Sequence, residues 1–234
     1  MKKIFAILLL VSLSLLSVGA AVMAEDGAEV PAAQSEVAAT GSGSGNVYVD
    51  YTRLNMPDNY GLYAYPITIG IDYSEGFIAG GYYSIGTGYG NIWDGIDVPD
   101  GFSQNSYMAY IGYNALDTES ASLGIIASYW NVNPKTDDVS MELSSLGIGV
   151  KGVVKSGPVN LSLLYSYGVS NTIKNDSDTY TDKTYVSVVE LKGIYYFSDS
   201  IGMHAVYRWI PVTTDYFPGV TNFHSFGLGV DFKF

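Results

Sequence analysis

From residue 47 to its end, the chain repeats one pattern: apolar side chains on every second position, in segments of about 8 to 13 residues. A two-residue period sends successive side chains to opposite faces of a strand, whereas a helix needs a period near 3.6. The last segment, S-F-G-L-G-V-D-F-K-F, shows it most plainly. Phe226, Leu228, Val230, Phe232 and Phe234 share one face, Ser225, Gly227, Gly229, Asp231 and Lys233 share the other, and the sequence stops on an aromatic residue. Hydrophobic residues make up 47% of the 234, yet only one continuous apolar run exists, so the rest of the apolar content is spread in alternation. A chain of this length and pattern is one all-β domain.

The continuous run lies at the start. Lys2 and Lys3 precede an apolar stretch from Ile4 to Val18, and small residues lead to Ala24. This is the form of a secretory signal peptide, residues 1–24, cut after Ala24; the run is shorter than the roughly 20 residues a spanning helix needs. Residues 25–45 have no period and end in a Gly/Ser run, which reads as a flexible lead-in. Residues 46–234 then form the folded domain. Loss of Lys2 and Lys3 takes the formal charge from −12 to about −14, and an acidic exported protein is a poor nucleic-acid binder. With no cysteine, disulfides, thiolate metal sites and a lipidated cysteine are excluded, and nothing in the sequence calls for a cofactor.

Ten strands are expected, near residues 47–54, 67–73, 77–88, 106–115, 121–131, 143–154, 159–170, 184–197, 201–210 and 223–234. Their connections alternate in length. Those at 74–76, 116–120, 155–158 and 198–200 are short; those at 55–66, 89–105, 132–142, 171–183 and 211–222 are long and polar. One parity carries Ile67, Ile69 and Ile71, Leu146, Ile148 and Val150, or Met203, Tyr207 and Trp209; the other carries Thr68, Gly70 and Asp72, Gly147, Gly149 and Lys151, or Gly202, His204 and Arg208.

Alternation alone also suits a soluble sandwich, which would bury the apolar set between two sheets. The export signal, the short and long connections, and the placing of aromatic rings favour a membrane barrel. Tyr73, Phe77, Tyr195, Phe197, Phe232 and Phe234 fall at the short-turn ends, and Tyr129, Tyr167, Tyr185, Trp209 and Phe223 toward the long-loop ends, as two interfacial girdles would. The expected fold is an all-β, antiparallel up-and-down transmembrane β-barrel of ten strands, with eight as the alternative.

With these features residues 46–234 resemble the small single-chain outer-membrane barrels of diderm bacteria, among which omptin proteases and opacity-type adhesins have ten strands. The resemblance is architectural, and no motif names a subfamily. It implies a bacterial outer-membrane location, a periplasmic lead-in, and contact with the lipid bilayer and lipopolysaccharide. It also implies assembly through the barrel-assembly machinery, with Phe226, Leu228, Val230, Phe232 and Phe234 as the recognised signal.

Parity points Asp50, Asp72, Lys151, Glu190, Lys192, His204, Arg208, Asp231 and Lys233 inward. The signs are balanced, so the cluster reads as a paired core that fills the lumen; the alternative is a narrow, porin-like polar pathway whose selectivity it sets. Catalysis finds little footing. His204 and His224 are the two histidines, and no Asp stands beside either or two positions before it, as an omptin-like Asp-His pair would require. The expected role is therefore a non-enzymatic scaffold that presents acidic external loops. In the 89–105 loop Asp94, Asp97 and Asp100 are weak calcium candidates without a complete calcium-loop pattern. The same loop carries Ile92, Trp93, Ile96, Val98 and Phe102, an apolar content suited to folding over the mouth or to meeting an extracellular ligand.

Overall fold

A computed structural model describes residues 44–55, 63–93, 96–135, 140–175, 178–180, 185–214 and 217–234. The strands are β1 (Ser44–Asn55), β2 (Tyr63–Ala64), β3 (Ile67–Glu75), β4 (Phe77–Trp93), β5 (Ile96–Asp117) and β6 (Ala121–Lys135), followed by β7 (Met141–Ser156), β8 (Val159–Asn175), β9 (Asp178–Tyr180), β10 (Tyr185–Tyr196), β11 (Ile201–Thr214) and β12 (Phe217–Lys233). They make ten staves. β2 and β3 both lie between β1 and β4, parted at Tyr65 and Pro66 because proline brings no N–H to the ladder. Two backbone bonds carry the stave across that gap, Thr52 N to Pro66 O at 3.0 Å and Tyr65 N to Thr87 O at 3.0 Å. β9 and β10 likewise both pair with β8.

All pairings are antiparallel, and β12 returns to β1 from Asn46↔Lys233 to Asn55↔His224, which closes the ring. At the very end Phe234 N donates to Gly45 O at 2.9 Å and Gly45 N to Phe234 O at 3.2 Å. Closure leaves the barrel wall without an edge, the condition for a sheet to stand in hydrocarbon, where an unpaired peptide group finds no water.

The short turns fall where the sequence places them, all at the end that also holds both described termini. Gly76 (φ 64°) and Gly157 (φ 55°) supply the left-handed residues at two of them, a conformation that side chains with a Cβ resist. At a third, Thr118 Oγ1 accepts from Ala121 N at 3.0 Å.

The opposite ends differ from expectation. Much of the sequence read as long loops is ladder: β4 and β5 run on through Gly90↔Val98 to Trp93↔Ile96, and β11 and β12 through Thr213↔Val220. Where side chains of the strand extensions are described, inward positions keep apolar residues such as Val132, Leu143, Ile173, Val186 and Val212 buried. Polarity therefore marked one face of a strand, not a loop.

The outward face is apolar. Val49, Ile67, Ile69, Ile111, Ile125, Ile148, Leu161, Met203, Leu228 and their neighbours are exposed around the ring, a belt far larger than a water-facing surface tolerates. Phe226, Leu228, Val230, Phe232 and Phe234 all belong to it. Phe223 does not: it is 8% exposed and points inward with Ser225, since odd positions above the last outward run share the parity of Ser225. The external girdle is therefore made without it.

Candidate functional site in the barrel lumen

Eight of the inward ionisable residues meet in one chain of contacts. Arg208 Nε donates to Glu190 Oε2 at 2.6 Å, and its Nη2 reaches Asp50 Oδ2 at 3.4 Å. His204 Nε2 stands 3.6 Å from the same Asp50 oxygen, an ion-pair distance that is too long for a hydrogen bond, and its Nδ1 bonds Asp231. Lys192 Nζ then joins Asp231 at 2.8 Å and Asp72 at 3.9 Å, and Lys151 Nζ closes the series on Asp72 at 2.6 Å. Along this path acid and base alternate without a break, the imidazole taking the place of one base.

Burial makes that order matter. Asp231 is 0% exposed, Asp50 1% and Lys192 2%. An ion withdrawn from water must find its compensation in neighbouring charge and hydrogen bonds. Lys233, the ninth inward residue by parity, stands apart and exposed at the short-turn end, its Nζ 5.9 Å from the centre of the Tyr196 ring.

Three tyrosines complete the network. Lys192 Nζ lies 3.4 Å from the centroid of Tyr48, Arg208 Cζ 4.6 Å from that of Tyr82, and Lys151 Nζ 4.6 Å from that of Tyr110. Lys192 and Arg208 thus lie against the negative face of a ring, whereas Lys151 meets Tyr110 at its hydroxyl. Tyr110 Oη also donates to Asp72, Lys151 Nζ donates to Tyr110 Oη at 2.5 Å, and Thr52 Oγ1 donates to Asp50 at 2.5 Å. Sequence reasoning left these rings out because it assigned tyrosine to the membrane interfaces. Parity was the available signal: Tyr48 and Thr52 lie two positions either side of Asp50.

A glycine makes room at the centre. A Cβ on Gly229 would lie 2.5 Å from His204 Cε1 and 2.7 Å from Asp50 Cα, inside van der Waals contact with both. Gly229→Val is expected to cost about 1–3 kcal/mol through overpacking and to part His204 from Asp50. Thermal unfolding in detergent micelles, read as loss of heat-modifiable migration on gels, measures it.

Above the charges the lumen changes character. Leu54, Ala64, Trp130, Val132, Leu143, Ile173, Val186, Ile210, Val212 and Phe223 form an apolar layer at the end away from the short turns. Below, a vestibule of about 840 Å³ opens between the short turns, lined by residues including Asn46, Lys155, Asn160, Tyr196 and Lys233. It narrows to a cavity of about 50 Å³ against Asp72, Lys151 and Lys192. A cavity of about 30 Å³ lies between Arg208 and Trp130. By volume the two inner cavities hold a few waters each at most.

His224 lies elsewhere, on the outer face at the upper end of the belt, where Tyr207 Oη meets its Nδ1 at 2.7 Å. His204 does meet two carboxylates in space, a pairing that sequence separation hid. Among the described residues, no group of three or more carboxylate or imidazole side chains is placed to hold a metal ion. Of the calcium candidates, Asp94 lies outside the described residues, and Asp97 and Asp100 are placed by the backbone of β5 alone.

Neither a protein-family model nor a curated protein matches this sequence. Solved structures do match. The outer membrane protease OmpT from Escherichia coli superimposes with a TM-score of 0.54 at 10% identity, covering 86% of this chain and 99% of that one. The translocator domain of the autotransporter NalP from Neisseria meningitidis gives 0.44 at 12% identity, with 96% of each chain covered. Neisserial surface protein A gives 0.37 at 15%, covering 82% and 97%. At such identities the likeness is one of fold.

The closed ring and its apolar outer belt define a ten-stranded membrane β-barrel. Its fold is that of the bacterial outer-membrane barrels.

Proposed function

We propose that this chain is a closed-lumen barrel of the outer membrane, a structural and surface-interaction scaffold without catalytic activity. One observation carries the reading: the sign of the charge alternates along the whole lumen network, from Glu190 to Lys151. A selective pore lines its path with one sign and leaves it room for water, whereas here each ion is spent on its neighbour. The apolar layer above adds a second closure. Against catalysis stand the enclosure of His204 between two carboxylates and the position of His224 within the aromatic belt.

In this reading residues 1–24 direct export and residues 25–45 lead into the barrel from the periplasm; residues 1–43 lie outside the described residues. The barrel-assembly machinery reads the face that ends in Phe234, which is 64% exposed. The surface role belongs to the external connections, whose acids Asp58, Asp137, Asp138, Asp176, Asp182 and Asp215 also lie outside the described residues.

The vestibule of about 840 Å³, tapering toward Lys151 and Lys192, favours a second reading, a narrow channel for small polar solutes or ions. Single-channel recording of the refolded chain from residue 25 in a planar bilayer separates the two. No discrete open level is expected from protein whose insertion has been verified; a stable, reproducible open level would overturn the scaffold reading in favour of the channel.

A further inference from the structure

We propose that the inner end of the vestibule, where β6, β7, β8 and β10 turn their inward faces to it, is a binding site for a phosphate group, free or carried by a small phosphomonoester. The inference goes beyond the scaffold reading and is independent of conduction, since a blind vestibule and a channel mouth would hold the same anion.

Inward parity delivers the site from neighbouring staves. Near the short-turn end the inward positions are Ser122 on β6, Lys151 and Lys155 on β7, Asn160 and Ser162 on β8, and Lys192 on β10. The register sets Lys155 opposite Asn160, and Val153 opposite both Ser122 and Ser162, so one patch of wall carries the polar groups. All of them line the cavity of about 50 Å³, and Asn46, Lys155 and Asn160 also line the vestibule of about 840 Å³ outside it. Those three residues mark the neck between the two.

This patch differs from the rest of the lumen in that its donors are unspent. The deeper ions are paired, and Lys151 and Lys192 both reach Asp72, the one acid of the cavity wall. Lys155 belongs to no such pair. Among the described residues its ammonium meets no carboxylate, and the hydroxyls of Ser122 and Ser162 and the side-chain amide of Asn160 make no hydrogen bond. Ser122 is 7% exposed, so its hydroxyl has little but the cavity from which to draw a partner. Asn46 Oδ1 accepts from Tyr196 Oη at 2.9 Å, which leaves Nδ2 to donate.

Three ammonium groups thus share a small recess with a single carboxylate, and such a surplus of one sign in a cleft with low-dielectric walls draws in the opposite charge. A phosphate suits these donors because its oxygens accept from several directions at once, in charge-assisted bonds. The vestibule gives room for the organic part of an ester. Glu119 and Asp199 stand exposed on its outer wall, where solvent and salt screen them, so the positive field is strongest at the neck.

The test titrates the micelle-folded protein with inorganic phosphate, glycerol 3-phosphate or chloride at constant ionic strength and reads the unfolding temperature. A saturable rise with the phosphates and none with chloride is expected, and the tighter of the two phosphates tells a free anion from an esterified one. Lys155 and Ser122 bond no side chain of the fold, so variants at both are expected to fold. Lys155→Met is expected to weaken the apparent affinity about tenfold, the worth of one hydrogen bond to a charged group, and Ser122→Ala to weaken it less. Lys174→Met, at the opposite end where Lys174 pairs with Glu142 at 3.5 Å, should bind as the wild type does. An equal rise with chloride, a Lys155→Met protein indistinguishable from wild type, or an equal loss in Lys174→Met would overturn the proposal.

Discussion

Arg208→Met is expected to lower the stability of the folded barrel by about 3–5 kcal/mol, the usual cost of leaving buried partner charges uncompensated. The residue is 3% exposed and is bonded to Glu190 at 2.6 Å and to Asp50 at 3.4 Å. Its loss leaves two carboxylates facing a lumen whose nearest cavity has about 30 Å³, too small to hydrate them as bulk water does. Methionine fills much of the vacated volume, so the loss reports on charge and not on packing. Pairing the change with Glu190→Gln should recover part of it, because the orphaned acid is then neutral. Reversible urea unfolding into lipid vesicles, followed by tryptophan fluorescence, gives both numbers. A double variant as unstable as the sum of its parts would show that the two residues act independently.

The second large effect concerns the two closures of the lumen. Trp130 is 3% exposed and Phe223 8%, and truncating either to alanine is expected to cost about 3–5 kcal/mol through lost burial and cavity formation. In the closed-lumen reading, however, Trp130→Ala/Phe223→Ala stays electrically silent, because the charge network beneath is intact. Arg208→Met alone stays silent too, since the apolar layer above excludes ions. Joined in one chain, the three changes are expected to give open events in planar bilayers from the fraction that still shows folded migration. Current from the Trp130→Ala/Phe223→Ala protein by itself would mean that the charge network does not block the path.

Much of this architecture could be read from residue types alone. The period of two survives in every stave because one face meets lipid and the other the lumen, so the parity of Asp50, Lys151 or His204 needed no three-dimensional knowledge. The four short turns were legible as brief gaps between alternating segments, and at two of them Gly76 and Gly157 take positive φ. Two things were not legible. The upper strand extensions look like loops because their outer face is wetted, and their inner face, with Leu143, Ile173 and Val212, gives too few apolar residues per segment to stand out. The pairing order within the lumen depends on register around the whole ring, and Asp50 meets Arg208 across 158 positions of sequence. No local pattern encodes such a contact. Phe223 was misplaced by its chemistry, since aromatic character suggested a girdle although its parity pointed inward.

That long separation also bears on the order in which the molecule is made. Asp50 and Asp72 belong to the first strands, while Arg208, His204 and Lys192 lie on β10 and β11. Glu190 and Arg208, or Asp231 with Lys192 and His204, can find each other among the last three staves, and Asp72 can meet Lys151 of β7, but Asp50 must wait for the last staves to arrive. A partly assembled wall would therefore carry unmatched ions on its concave side, disfavouring entry into hydrocarbon. Zipping of β12 onto β1 would relieve that penalty in one step, so the charge network would favour entry of a complete ring over that of an incomplete one.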